Sequence, residues 1–333
     1  MNICSYEPSC LDKMKRFIAQ CDYLPFFEYG ISRDVVSNYI IEEISDTVSN
    51  GGFVFVAKEA EEIIGLIDSE SLKWDSTHFG IETAKINYLL ASGDYFKSLH
   101  TKEELVTHLL RNCYNRLTLH LSARVNKEDL SSIHALENKS FRLMDVLVTY
   151  SYDLRNTKGL ETAPVHPVRS IRPCDLPKLA KIAVECFGQM PVATDRFHAD
   201  PVLPKEKSDE LYIEWLVNFS QDPSNGILVA EINGNPVGFN LCKVNKSISD
   251  KIGLKLGTMV LTAVKYSERN KLVGVSLLNA SISWFRDKVY IIESGGQVSN
   301  YPIQRVWSKV GFKIMKSQCT FHWSALPDSF RNK

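Results

Sequence analysis

The stretch from Met259 to Phe312 decides the fold, and it reads MVLTAVKYSERNKLVGVSLLNASISWFRDKVYIIESGGQVSNYPIQRVWSKVGF. An apolar run of β-forming residues leads into a charged turn, and apolar residues at helical spacing follow it. A second strand pattern comes next, and a second helix pattern opens beside Asn300. The order predicts two strands with helices between and after them. Such a layout can hold a long phosphorylated cofactor where the strands part.

The turn at 266–274 carries the residues that suggest a phosphate site. The N–H groups in the first turn of a helix have no partner within the helix, and the helix dipole adds partial positive charge. They form a natural seat for a pyrophosphate. Arg269 and Lys271 add charge, and Gly274 would let a phosphate approach the backbone. An ordinary connection with charged surface residues explains the same pattern, so the turn alone leaves both readings open.

The two halves of the chain repeat one pattern. FVFVAKEAEEIIGLI at 53–67 and ILVAEINGNPVGFNL at 227–241 both read as apolar hairpins. Gly65 recurs as Gly238, 173 positions later, and Phe312 has a counterpart 171 positions earlier. A nearly constant offset predicts two copies of one unit. Each copy combines a hairpin with alternating strands and helices, so the predicted class is α/β, with a mixed sheet covered by helices.

The boundary between the copies is expected at 156–167, NTKGLETAPVHP, which combines two Pro, a Gly and polar residues. It separates a first domain at 1–155 from a second at 168–325. In the first copy, Thr101–Glu104 reads as a capping box that opens a helix, and 117–123 reads as a strand.

Composition excludes several classes of function. The formal net charge is zero, which gives no electrostatic basis for binding nucleic acid or an anionic membrane. No apolar run is long enough to span a membrane, and the N-terminus lacks the apolar core of a signal peptide. The eight Cys and eight His are dispersed, without CxxC or HExxH. We therefore expect a cytoplasmic protein with reduced thiols and no metal site.

Val264, Arg269 and Gly274 resemble the acetyl-CoA signature of the GCN5-related N-acetyltransferases (GNAT), in which a strand Val precedes Arg/Gln-x-x-Gly-x-Gly/Ala. The sequence departs from this signature at Leu272, where the first Gly is usual. Downstream, Asn300 followed by VWSKVGF resembles the Asn, helix and Gly-Phe ending of the same family. The resemblance implies tandem GNAT-like folds, with a catalytic second copy and a degenerate first copy that has lost cofactor binding.

The resemblance also implies acetyl-CoA as co-substrate and direct acyl transfer to an amine. The implied cofactor-binding residues lie on the strand, on the turn and beside the second helix. They are Thr262, Ala263, Val264, Arg269, Asn270, Lys271, Leu272, Val273, Gly274, Val275, Asn300 and Trp307.

The usual general acid of the family is a Tyr seven residues after the Asn, and here that position is Trp307. An indole N–H donates a hydrogen bond but does not transfer a proton at neutral pH. Ser308, Tyr301, Tyr266 or water would then supply the proton, or the thiolate would leave unassisted. A non-catalytic acyl-CoA-binding module remains the alternative from a different class.

A narrower resemblance concerns the acceptor. LKWDSTHFGIETAKI at 72–86 and RFHADP at 196–201 resemble elements of the dTDP-fucosamine acetyltransferases, sugar-nucleotide enzymes of surface-polysaccharide pathways. It implies an amino-deoxy sugar nucleotide as acceptor, contacted by Asp75, His78, Arg196 and His198. A strand-to-loop transition with aromatic packing and a turn Asp is the ordinary explanation of the first two residues. Another small amine or a protein amine is the alternative acceptor, and a homodimer is left open.

Overall fold

The computed structural model describes residues 1–156, 165–189 and 191–325. The chain forms two compact units, which are described separately below. Unit 1 comprises Met1–Val146 with the described residues from Ser317 onward, and unit 2 comprises Leu147–Lys316. Most of the expected linker, at 157–164, lies outside the described residues. The two compact units divide the chain after Val146 and after Lys316, and the domain limits expected at 155 and 168 stay a prediction.

Unit 1 is a mixed sheet with helices. Its strands, in spatial order, are β1 Asn2–Ser5, β2 Phe53–Glu59, β3 Glu62–Ser71, β4 Thr83–Ala91, β5 His120–Asn126 and the later part of β12 Lys313–Ser324. Among the described strands of this unit, only β4 and β5 pair in parallel. The helices are α1 Leu11–Gln20, α2 Arg33–Ser49, α3 Lys73–Phe79, α4 Tyr95–Asn115 and α5 Leu130–Asn138.

Unit 2 repeats this plan. Its strands, in spatial order, are the later part of β6 Arg142–Asp153, β11 Ile291–Gln297, β10 Leu256–Val264, β9 Asn235–Val244, β8 Gly226–Ile232 and β7 Val168–Ser170. In the part of unit 2 that the structure describes, only β10 and β11 pair in parallel. The helices are α6 Leu176–Ala183, α7 Arg196–Ala199, α8 Lys205–Ser220, α9 Lys246–Ile252, α10 Val273–Phe285 and α11 Tyr301–Val310.

The predicted repeat and the mixed α/β class are confirmed by matching strand registers. Ala57 pairs with Gly65 in unit 1, and Ala230 pairs with Gly238 in unit 2. The register shifts by one residue directly after each of these pairs, at Lys58 and Glu231. Equivalent irregularities at equivalent places indicate that both hairpins have the same local geometry.

The last strand of the first sequence half, β6, contributes to the sheet of unit 2, and the last strand of the second half, β12, contributes to the sheet of unit 1. Residues 147–153 of β6 pair antiparallel with β11, and residues 318–324 of β12 pair antiparallel with β5. Phe321 and Trp323 of β12 lie in the hydrophobic core of unit 1, whereas Tyr150 and Tyr152 of β6 lie in that of unit 2. Each core therefore depends on a strand that is distant in sequence.

Two local expectations in unit 1 are wrong. The helix expected to open at Thr101 begins at Tyr95, because Asp94 is its N-cap and accepts a hydrogen bond from the Lys97 amide at 2.9 Å. The strand expected at 117–123 begins at His120, because Leu117 has a positive φ of 57° in the preceding turn. Both errors concern the ends of elements that exist, the part of a prediction that local sequence specifies least.

No helix among the described residues is long and apolar enough to cross a membrane.

Candidate cofactor and acceptor site

The strands β10 and β11 of unit 2 part after a short parallel pairing. The first pair is Leu256 with Ile291, and the last is Met259 with Ser294. Among the described residues, the two strands do not pair beyond this point. In the same place, the register of β10 against β9 shifts between Met259 and Leu261. A β-bulge bends its strand and increases the local twist. The result is a cleft between the carboxyl-terminal halves of two neighbouring strands.

One edge of this cleft is the backbone of β10. The Lys265 amide donates to the Val237 carbonyl at 2.8 Å, so these residues form a hydrogen-bonded pair of the β9–β10 ladder. Bonded and non-bonded pairs alternate along an antiparallel ladder. The amides and carbonyls of Thr262 and Val264 therefore face away from β9 and into the cleft. This edge can bind an extended ligand that carries amide groups.

The turn after β10 has an unusual backbone. Residues Tyr266–Glu268 form a 3₁₀ turn, and α10 begins at Val273. Between them, Asn270 and Leu272 both have positive φ, at 65° and 63°. Leu272, the residue found where the GNAT signature has Gly, is thus in the left-handed conformation that Gly adopts without steric cost. A residue with left-handed backbone therefore lies where the signature has Gly.

The N-terminus of α10 follows this turn directly. The amides of Val273, Gly274 and Val275 occupy its first turn, where no intrahelical acceptor exists. A Cβ added to Gly274 would lie 3.7 Å from both methyl groups of Val306, an ordinary van der Waals contact. This glycine is therefore not required by packing against α11.

Charged and polar groups surround the turn. The Arg269 guanidinium lies 5.2 Å from the centre of the Tyr266 ring, and its Nε donates to the Val264 carbonyl at 3.3 Å. Lys271 Nζ lies 3.0 Å from Glu268 Oε2 at the surface. The Lys271 carbonyl lies 2.6 Å from His166 Nε2. Both cations expected at a phosphate site are thus on the turn.

The second helix of the motif, α11, begins as expected. Asn300 is its N-cap, and its side-chain oxygen accepts a hydrogen bond from the Ile303 amide at 3.5 Å. Gly311 ends the helix with φ of 105°, as a C-terminal glycine does. The side chain of Asn300 therefore holds the helix start, which leaves its NH₂ group as a donor.

Trp307 lies in the core of unit 2 and is 1% exposed. Its ring is 5.0 Å from that of Tyr150, and a Cβ added to Gly296 of β11 would lie 3.0 Å from the indole. The indole nitrogen has no hydrogen-bond partner among the described residues. Its contact with a cofactor stays a prediction, and packing against β6 and β11 is what the structure shows.

The other proton donors considered from the sequence are less buried. Ser308 is exposed on α11, one position after Trp307, so it points about 100° away around the helix. Tyr301 is 62% exposed at the first position of α11, and Tyr266 is 54% exposed. Of these three, Tyr266 lies on the turn that follows β10.

Tyr150 is a residue that the sequence pattern did not suggest. It pairs with Ser294 of β11, and its hydroxyl is 3.5 Å from Gln304 Oε1 on α11. Gln304 in turn donates to the Val298 carbonyl at 2.8 Å. Tyr150 belongs to the first half of the sequence, and only the exchange of β6 brings it beside Trp307. A search restricted to the second copy misses it.

Arg196 and His198 lie on the short helix α7 of unit 2. His198 Nδ1 is 2.7 Å from Asp195 Oδ2, and His198 Nε2 is 3.1 Å from Asp209 Oδ1 on α8. The hydrogen bond with Asp195 raises the pKa of His198 against the opposing effect of burial. Both ring nitrogens are thus engaged by carboxylates. This geometry ties α7 to α8, and substrate contact by either residue stays a prediction.

Asp75 and His78 lie on α3 of unit 1. The sequence interpretation left a strand-to-loop transition as the ordinary explanation, but the segment is helical. His78 is buried, and its ring stacks on Trp74 at 5.0 Å and 8°. It also meets the Phe79 ring edge-on at 4.8 Å. Aromatic packing therefore accounts for His78, and a role in acceptor binding stays a prediction for both residues.

The corresponding part of unit 1 differs from the cofactor turn. At the repeat offset of 173 positions, Val273 corresponds to His100, yet α4 begins five residues earlier, at Tyr95. Lys102 Nζ, buried, lies 2.9 and 3.0 Å from the carboxylate oxygens of Asp129, which is the N-cap of α5 as Asn300 is the N-cap of α11. A helical turn and a buried ion pair therefore stand where unit 2 has an exposed helix N-terminus.

Comparison with known proteins supports this interpretation of unit 2. A model of the acetyltransferase (GNAT) family matches residues 189–312. The matched range contains the parted strands, the turn and α11. A search of curated proteins gave no match.

Solved structures share the fold along nearly the whole chain. A GCN5-related N-acetyltransferase from Sphaerobacter thermophilus has 14% identity and a TM-score of 0.65, over 98% of this chain and 96% of the other. A tandem GNAT protein from the clavulanic acid biosynthesis pathway has 12% identity and a TM-score of 0.56, over 98% and 99%. A GNAT-family acetyltransferase from Colwellia psychrerythraea has 11% identity and a TM-score of 0.50, over 97% and 99%.

These similarities confirm the tandem GNAT fold. The match to the family model supports an N-acetyltransferase enzyme, and the solved structures support the fold alone. They do not identify the acceptor.

Proposed function

We propose that this protein transfers an acetyl group from acetyl-CoA directly to the amine of a small acceptor, and that unit 2 holds the cofactor. The observation that carries the proposal is the cleft between β10 and β11, which has an open backbone edge and ends at the N-terminus of α10. An extended ligand in which an arm with amide groups leads into a pyrophosphate, as in CoA, matches both features.

The backbone groups of Thr262 and Val264 are suited to the amides of the pantetheine arm. The first-turn amides from Val273 to Val275 would bind the pyrophosphate, with Arg269 and Lys271 supplying positive charge. The bound acetyl-CoA supplies the activated thioester. The protein orients it, because backbone groups held by the β9–β10 ladder require no rearrangement when the reaction begins.

The reaction requires two proton movements. The acceptor amine must lose a proton to attack, and the departing thiolate is stabilised by gaining one. Trp307 cannot supply that proton, and we propose that Tyr301, Ser308, Tyr266 or water does so. A missing general acid slows such a reaction by roughly 10²–10⁴-fold, and CoA is a tolerable leaving group.

We further propose an amino-deoxy sugar nucleotide as the acceptor, on the basis of the segments at 72–86 and 196–201. Another small amine or a protein amine is the alternative. A panel of dTDP-4-amino-4,6-dideoxyhexoses, simple amines and Lys peptides, assayed with acetyl-CoA for release of free thiol, distinguishes them. Thiol release with the sugar nucleotides alone supports the specific proposal. Release with other amines alone rejects it and retains the transferase.

We propose that unit 1 binds no acyl-CoA. The capped start of α4 and the buried Lys102–Asp129 pair support this proposal, because the Asp94 carboxylate already occupies the helix N-terminus that a phosphate would need. One cofactor per chain is therefore expected.

A second candidate function is a non-catalytic acyl-CoA-binding module. Trp307 favours it, since the position of the usual acid is occupied by a core side chain. Tight binding of acetyl-CoA without turnover on any amine in the panel would support this candidate.

A further inference from the structure

A π-helical turn at Val184–Gln189, called the latch below, continues α6 in unit 2. Single π-turns within or after α-helices are frequent at functional sites. Two consecutive residues of the latch, Glu185 and Cys186, contact the end of β10 and the beginning of the turn that follows it. The latch therefore touches the proposed cofactor site.

Cys186 engages the open edge of β10. Its Sγ donates to the Val264 carbonyl at 3.2 Å, and Arg269 Nε donates to the same oxygen at 3.3 Å. This carbonyl faces the cleft, away from β9. It is the acceptor that a pantetheine amide would need at the end of the strand. Two protein donors already use it.

Glu185 engages the turn. Its Oε1 accepts a hydrogen bond from the Tyr266 amide at 2.6 Å. A carboxylate thus lies against the segment that is proposed to bind the pyrophosphate. This carboxylate would repel a phosphate bound on the turn, and the repulsion weakens as salt is added.

The latch is held in place from its other end. A Cβ added to Gly188 would lie 2.4 Å from Asp209 Oδ1 of α8, so the Asp209 side chain lies directly against the backbone of the latch. Asp209 also contacts His198 of α7. The position of Glu185 and Cys186 is therefore determined by the packing of three helical segments.

We propose that the latch competes with acyl-CoA for the end of β10, so that the cofactor binds only when Cys186 and Arg269 release the Val264 carbonyl. The proposal rests on the proposed function of unit 2 and adds a regulatory contact to it. On binding, the pantetheine amide replaces the thiol as donor, and the freed Arg269 side chain reaches a phosphate. Latch contacts thus lower the apparent affinity for the cofactor.

Titration of the full chain with acetyl-CoA by calorimetry tests the thiol contact. Cys186→Ala removes the donor and is expected to lower Kd about three- to tenfold, the equivalent of one ordinary hydrogen bond. Cys186→Ser keeps a donor and should leave Kd within about twofold. Cys174→Ala, at an exposed thiol, is the matched control and should cause no change.

Glu185→Gln tests the charge and does not depend on the thiol. The amide oxygen can still accept from the Tyr266 amide, but the negative charge is absent. Kd should fall, and it should fall more at low salt than at high salt. Circular dichroism establishes that each variant is folded.

Each outcome decides the proposal. Tighter binding by Cys186→Ala and by Glu185→Gln, with Cys186→Ser unchanged, supports the latch. Unchanged or weaker binding by folded Cys186→Ala and Glu185→Gln overturns the latch and leaves the cofactor site intact. If the parent chain and all variants fail to bind acetyl-CoA, the proposed function and the latch both fall.

Discussion

At the scale of single residues, Leu272 shows how a motif can persist without its usual side chain. The residue is 41% exposed and has a φ of 63°, a conformation that costs an L-residue roughly 1–2 kcal/mol. The printed sequence identifies the departure from glycine at this position. It does not reveal that this residue has a left-handed backbone, because the surrounding strand and helix impose that conformation.

Leu272→Gly should therefore be neutral or stabilising. Relief of the left-handed strain offsets the larger entropy of an unfolded chain with glycine, so we expect a gain of up to about 1 kcal/mol. Leu130→Gly is the control, since Leu130 is also exposed but lies in the first turn of α5. Urea denaturation should show that Leu130→Gly lowers the free energy of unfolding by about 1 kcal/mol. Equal losses in the two variants would contradict the strain at Leu272.

Two substitutions at Gly274 distinguish a role in packing from a role in phosphate binding. Gly274→Ala should leave stability within about 1 kcal/mol, because its Cβ meets Val306 at ordinary distance. Gly274→Glu places a carboxylate in the first helical turn and should weaken acetyl-CoA binding at least tenfold by repelling the phosphates. Comparable affinity of the two variants in calorimetry would show that the cofactor does not bind at this helix N-terminus.

Substitutions at Trp307 test whether this position takes part in proton transfer or only in packing. Trp307→Phe removes an indole N–H that has no partner among the described residues, so kcat should change by less than about threefold. The smaller ring should cost about 1–3 kcal/mol of stability. Trp307→Tyr supplies a phenol and should raise kcat if proton transfer to the thiolate limits turnover. A loss of kcat above tenfold in folded Trp307→Phe would contradict a purely packing role.

At the scale of elements, α7 is held by one histidine between two carboxylates. The pKa of His198 is raised, first by its hydrogen bond with Asp195. A raised folded-state pKa means that the contribution of His198 to stability is full below its unfolded pKa of about 6.5 and is lost as pH rises through the folded value. The link between α7 and α8 should therefore weaken under alkaline conditions.

His198→Gln measures this dependence. At pH 6 the substitution should lower the free energy of unfolding by about 1.5–3 kcal/mol, the range for hydrogen bonds to charged groups. At pH 9 the parent histidine is closer to neutral, so the loss should be smaller. Asp209→Asn removes the negative charge of one of the two partners and should show the same trend with lower amplitude. A loss that is independent of pH would refute the charged pairing.

Element order and element ends differ in how well the sequence specifies them. The hairpins, β10, α10 and α11 follow from apolar periodicity, and Gly311 marks the end of α11. The start of α4 does not follow, because the TKEE segment from Thr101 matches a capping box yet lies inside a longer helix. A capping box decides where a helix starts only when no better N-cap lies before it. Here Asp94 lies before Thr101 and is that better N-cap.

At the scale of the whole molecule, the repeat could be predicted but the exchange of final strands could not. Equal offsets reveal two copies of one unit, whereas nothing in β6 or β12 indicates which sheet the strand will join. Cross-strand packing decides that choice, and it depends on residues far away in sequence. The same limit concealed Tyr150, which reaches the surroundings of Trp307 only through β6.

The exchange predicts that the halves do not fold independently. A fragment of residues 1–155 lacks Cys319, Phe321 and Trp323, which belong to the core of unit 1. Loss of each large core side chain costs about 3–5 kcal/mol, against a total stability of about 5–15 kcal/mol. The fragment should therefore show no cooperative thermal transition by circular dichroism, unlike the full chain. A sharp transition in the isolated fragment would contradict the assignment of β12 to unit 1.

The central claim is that acetyl-CoA binds in the cleft between β10 and β11 of unit 2, at the N-terminus of α10. Calorimetric titration of the full chain with acetyl-CoA, alongside Gly274→Glu and Gly274→Ala, tests it most directly. We predict one molecule bound per chain, affinity retained by Gly274→Ala and lost by at least tenfold in Gly274→Glu. Absence of binding to the parent chain, or equal affinity in folded Gly274→Glu, would contradict the claim.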